Sequence, residues 1–214
     1  MKIRTFEGGL DKNFTYLVTG GDSPQSVIID AAVPVEHLVQ SVENNRLTPV
    51  SLLITHTHHD HIVYLREYQQ AFPNLKVHLW RNNNHYLKQQ NLSHLDMIHV
   101  GSLKFTVIHT PGHTPDSVCY LVERKLFTGD TLFVGRTGRT IGATSDTRQL
   151  YRSVYSKILT LPGNTVIYPG HNYGDVQTIT LEENKKISPL LRATDEADFV
   201  KRMKEYEQSR RKLN

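Results

Sequence analysis

The chain has 214 residues with 38% apolar and 21% charged side chains, a net charge of +4, 12 histidines and a single cysteine. That length buries a hydrophobic core unaided, and the lone Cys119 excludes an intramolecular disulfide. The N-terminus MKIRTFEGGL has no apolar leader, no stretch approaches the roughly 20 apolar residues of a membrane span, and +4 is too mild to argue for nucleic acid.

The expectation is therefore a cytoplasmic protein with no membrane and no nucleic-acid partner. No Pro/Gly/Ser-rich linker divides the chain, so residues 1–214 read as a single domain with a short helical tail from about residue 176. Short β-type runs come first, Lys2–Phe6, Phe14–Thr19 and Ser26–Asp30, punctuated by glycine pairs. Pro34 opens a predicted helix to Asn45, with Val35, Leu38, Val39 and Val42 at helical spacing. Ser51–Thr55 is a short buried strand. A helix is expected from Asp60 or His61 to before Pro73, a strand at Lys76–Leu79 and a helix over Asn82–Gln90. Leu103–His109, Ser117–Val122 and Lys125–Thr128 read as strands. Asp146 caps a helix to about Thr160, Thr165–Tyr168 is one more strand, and helices over Thr178–Ile187 and Asp195–Glu207 close the chain. The basic cluster from Lys201 to Lys212 reads as a solvated helix end.

The chemistry sits in Thr55-His56-Thr57-His58-His59-Asp60-His61, directly after an apolar strand. In an extended loop, positions i and i+2 face the same way, so His56 and His58 can grip one ion. Asp60 and His61 lie at the turn into a helix and suit a second ion nearby. Imidazole and carboxylate together suit zinc, iron or manganese. Further ligands stand in the same local context: His113, Asp130 and His171 each follow a strand and have glycine or proline beside them. A single histidine of this kind would more often be a packed or surface residue; a full ordered set at strand ends would not. His59 occupies a variable position of the motif, His37, His78, His85, His94, His99 and His109 read as ordinary, and Cys119 reads as a small buried residue.

In this order THTHHDH, TPGHT, FTGD and YPGH resemble the metallo-β-lactamase superfamily, most of all its glyoxalase II (hydroxyacylglutathione hydrolase) and persulfide dioxygenase branch. The resemblance runs from the Asn13–Val18 strand to the Glu182–Leu191 segment. It implies an α/β fold, a four-layer αββα sandwich with the site at one edge. By the same resemblance His56, His58 and His113 hold one ion, Asp60, His61 and His171 hold a second, and Asp130 bridges them. Val63 and Tyr64 stand where many relatives have a Gly-Gly pair.

The resemblance further implies a hydrolase with two zinc ions, a bridging water acidified between them and Asp60 helping to move its proton. The substrate would be a small thioester or related ester, a glutathione or other thiol conjugate. Gly138-Arg139 matches the family's Gly-Arg step, which makes Arg139 a candidate for a substrate carboxylate, and Tyr173 matches a tyrosine near the thiol. Only 43 residues follow His171, and the stretch from Thr178 to Lys185 resembles the end of the glyoxalase II extension without its middle, so a full glutathione pocket of that kind is not expected. The alternative is a mononuclear iron persulfide dioxygenase using His56, His113 and Asp130. A zinc β-lactamase is disfavoured, since Asp130 stands where those enzymes place cysteine.

Overall fold

Where both faces of a sheet are covered, its strands carry apolar residues at successive positions rather than alternate ones. The computed structural model, which describes residues 1–21, 23–80 and 89–211, builds two such sheets. The first runs β1 (Lys2–Gly8), β2 (Asn13–Thr19), β3 (Gln25–Ile29), β4 (Thr48–Leu53), β5 (Lys76–Trp80) and β6 (Gln89–Leu92) in chain order. Its first three strands pair antiparallel and the rest parallel. The second sheet begins with β7 (Met97–Val100), β8 (Leu103–His109), β9 (Val118–Val122) and β10 (Lys125–Gly129). A small ribbon, β11 (Leu132–Phe133) with β12 (Arg136–Thr137), follows, and β13 (Val166–Pro169) and β14 (Ile179–Thr180) complete the second sheet. Among the described residues only β10 and β13 pair parallel there.

Alternation along each strand splits the core into three layers. Phe14, Tyr16, Val27, Ile29, Phe105 and Phe127 meet between the sheets. Leu17, Ile28 and Leu52 point the other way, onto Leu38 of α1 (Glu36–Asn44) and Tyr68 of α3 (Leu65–Ala71). Leu126, Ile167 and Cys119 face α4 (Thr147–Ser153), α5 (Leu181–Ile187) and α6 (Glu196–Arg211) through Leu150, Leu181 and Phe199. The fold is thus a four-layer αββα sandwich, and burial pushes the Cys119 thiol up to about 11, as suits a packed core residue.

Several elements differ from the sequence expectation. The helix expected from Asp60 to before Pro73 is two pieces, α2 (His59–Ile62) and α3, broken at Val63–Tyr64. The break is filled by backbone hydrogen bonds: Ala31 N donates to His61 O and Tyr64 N donates to Ala31 O, at 3.0 and 3.2 Å. The chain therefore packs closely here without the glycine pair. The helix capped by Asp146 turns π-helical over Val154–Ile158 and stops short of Thr160. Ile179–Thr180 are strand rather than helix, because β14 pairs with β13 before the Thr180–Glu183 capping box starts α5. Most of the helix expected over Asn82–Gln90 lies outside the described residues, and Gln89–Gln90 belong to β6. Among the described residues no helix is long and apolar enough to cross a membrane.

Phe199 is fully buried on the last helix. Phe199→Ala should cost about 3–5 kcal/mol in equilibrium urea unfolding; an unchanged midpoint would show that this helix takes no share in the core.

Candidate metal centre

Each sequence-predicted ligand leaves a strand at the same edge of the sandwich. His56 and His58 follow β4, with Asp60 and His61 on α2; His113 follows β8, Asp130 follows β10 and His171 follows β13. Turns hold these loops in place. Thr57 donates its N–H and hydroxyl to Asp116 at 3.0 and 2.6 Å, joining the histidine loop to the loop of His113. At Gly170 a Cβ would strike the Asp130 carboxylate and the His61 ring, so only glycine lets the last ligand loop approach.

The side chains converge in three groups whose donor atoms lie within 4.8 Å of one another: His56, His58 and His113; His56, His61 and Asp130; and Asp60, His61 and His171. His58 Nδ1 lies 3.1 Å from His56 Nε2 and 3.0 Å from His113 Nε2. His61 Nε2 and His171 Nε2 are 3.2 Å apart. Asp130 touches both sides: Oδ1 lies 3.2 Å from His61 and 3.3 Å from His171, while Oδ2 lies 3.6 Å from His113.

Partners outside the cluster aim these donors inward. His61 Nδ1 is held by Asp30 at 2.9 Å, His113 Nδ1 by the Arg139 carbonyl at 2.8 Å and His171 Nδ1 by the Asp11 carbonyl at 2.8 Å. With the outer nitrogen donating, the inner one is free to act as a ligand. Asp60 is oriented in turn by Asn13 Nδ2 at 2.8 Å.

The electrostatics point the same way. Burial drives His56 well below its ordinary value and lowers His58, which keeps those rings neutral. Burial also opposes charge on His171, yet the Asp130 and Asp60 carboxylates outweigh it and raise the ring to about 9. His61 is raised likewise, against its burial, by Asp130 and Asp30. Burial would lift Asp130, but the His61 and His171 charges hold it well below the carboxylate range. The acids thus draw positive charge to the centre, and Oδ1 of Asp130 is buried without a hydrogen bond. Nitrogen and oxygen donors so arranged fit zinc, iron or manganese.

His59 is exposed and joins none of these groups. Asp11, His58, Asp60, Ile141 and Ser145 are among the walls of a cavity of about 330 Å³, which Arg139 and Tyr173 also line. The Arg139 side chain is exposed and forms no ion pair among the described residues. Tyr173 stacks on His171 with ring centroids 4.7 Å apart and planes 4° from parallel, and its hydroxyl donates to Asp11. Sequence reasoning missed Asp30, Asn13 and Asp11, single polar residues with no motif spacing. It also missed Arg136, although Gly135-Arg136 is a Gly-Arg step like the one three residues on.

A model of the Metallo-beta-lactamase superfamily matches residues 8–171. The hydroxyacylglutathione hydrolase of Francisella tularensis subsp. novicida is 34% identical over 164 residues, or 76% of this chain, which spans 64% of that relative's length. The mitochondrial persulfide dioxygenase ETHE1 of Mus musculus is 31% identical over 193 residues, covering 89% of this chain and 75% of that protein. The crystal structure of ETHE1 from Myxococcus xanthus has a TM-score of 0.87 at 32% identity, covering 95% of this chain and 90% of the other.

Asp30 accepts from Thr55 N, Thr55 Oγ1 and His61 Nδ1 while almost fully buried. Asp30→Asn leaves at least one of these donors unanswered and should cost about 1–3 kcal/mol in thermal or urea unfolding. A variant as stable as the parent would show that the three bonds are not made together.

Proposed function

The chain belongs to the metallo-beta-lactamase superfamily, and on that basis we propose that it is a metal-dependent hydrolase of small thioesters or related esters with a two-ion centre. One ion is assigned to His56, His58 and His113, the other to Asp60, His61 and His171, with Asp130 shared. Zinc is the first choice, with iron or manganese as alternatives. The observation that carries the reading is Asp130, whose two oxygens face the two histidine groups from between them.

Ions held there would supply a water acidified toward neutrality and a cationic seat for the charge that develops on the attacked carbonyl. The chain's own residues do the rest. Asp60, fixed by Asn13 and facing the cavity, would take the proton of the attacking water and return it to the departing thiolate or alkoxide as the ester bond breaks. Arg139 at the cavity wall meets an anionic group of the substrate, and Tyr173, clamped between His171 and Asp11, sets the wall beside the leaving thiol. A glutathione or other thiol conjugate fits this scheme, in keeping with the name of the Francisella relative.

A second reading, a mononuclear iron persulfide dioxygenase using His56, His113 and Asp130, is favoured by the likeness to the mouse enzyme across most of the chain. Metal content of protein purified without added metal, measured by elemental mass spectrometry, separates the two. About two zinc ions per chain, thioester hydrolysis lost on chelation and its return with zinc are expected. About one iron, with oxygen uptake on a persulfide and no thioester turnover, would replace the hydrolase by the dioxygenase.

A further inference from the structure

The cavity beside the metal centre continues past Tyr173. A small pocket of about 140 Å³ shares His113, Asp130 and Arg139 with it, and shares Arg136, Tyr173 and Tyr206 with an open groove of about 590 Å³. Val134, Ile187, Pro189 and Leu190 give the groove an apolar lining. Ile187 is 53% exposed there, an apolar surface that a ligand would cover.

Arg136 stands where pocket and groove meet, since it lines both. Its guanidinium lies over the Tyr173 ring, 4.7 Å from the centroid, and donates to the Tyr206 hydroxyl at 3.2 Å and the Tyr173 carbonyl at 2.9 Å. These bonds use two of its five N–H groups and hold the planar fork in place before any ligand arrives. Among the described residues no carboxylate pairs with it, whereas Arg202 in the same groove is neutralised by Asp198 at 2.9 Å. The other acids lining the groove, Asp175 and Glu205, are exposed and screened by solvent, while Asp11 and Asp130 in the pocket are taken up by the Tyr173 hydroxyl and by the histidines.

We propose that Arg136 reads a carboxylate on the non-reacting arm of the substrate, and that the groove beyond takes the apolar remainder of that arm. The inference rests on the reading above only for which end of the ligand reacts. Substrates would then be amphiphilic, carrying, besides the group that Arg139 meets, a carboxylate between the reacting bond and an apolar segment.

Isothermal titration of the zinc-loaded protein with 4-phenylbutyrate and with its neutral amide tests this. The acid should bind about tenfold tighter than the amide. Arg136→Gln should abolish that preference, and Arg136→Lys should restore part of it. Ile187→Asp, at an exposed position, should weaken the acid by a similar factor whether or not the arginine variants fold. Equal binding of acid and amide, no measurable binding of the acid, or a preference that survives Arg136→Gln would overturn the proposal. A preference lost only in Arg139→Gln would do the same. Discrimination without thioester turnover counts against the reaction alone; turnover without discrimination counts against the arm site alone.

Discussion

A buried carboxylate at the end of β3 organises much of this molecule. Asp30 adopts a left-handed backbone conformation, φ 58°, one that aspartate tolerates better than most residues. It spends its two oxygens on the backbone and hydroxyl of Thr55, one residue before the histidine loop, and on the ring of His61. A buried charge without such donors would be strongly destabilising; with three of them it fixes the start of the loop and the tilt of the His61 ring together. The hydrogen bond from Ala31 to the His61 carbonyl extends the same attachment by one residue.

The rest of the centre follows from the sandwich. Two sheets packed face to face bring the ends of β4, β8, β10 and β13 to one edge, where loops can leave the ladder and carry polar groups. Close approach is then set by small residues. Gly129, at φ +46°, sits where a Cβ would meet the Thr55 side chain at 2.5 Å, so the end of β10 before Asp130 can close across the sandwich onto the end of β4 before His56. The result is a cluster of inward-facing nitrogen and oxygen donors, backed by carbonyls and carboxylates that fix their orientation.

The strands and the clustered histidines and acids were largely legible because both leave local signals: apolar runs of strand length, and histidines or acids placed just after them beside glycine or proline. What escaped had a different kind of cause. β7 alternates exposed and buried residues over Met97–Val100, but four residues give little pattern, and the two-residue strands β11 and β12 give none. The break between α2 and α3 depends on the Ala31 backbone, which is distant in sequence from Tyr64. Asp30, Asn13 and Asp11 act through partners in other strands and loops, so their roles arise only once the sheets are packed. Arg136 was overlooked because the family pattern drew attention to Arg139.

His61 and His171 face each other although 110 positions separate them, one attached to the first sheet and the other to the second. Groups that distant meet only once the long loop between them has closed, at a cost in chain entropy. The cluster that joins them is therefore complete only when the two sheets have docked.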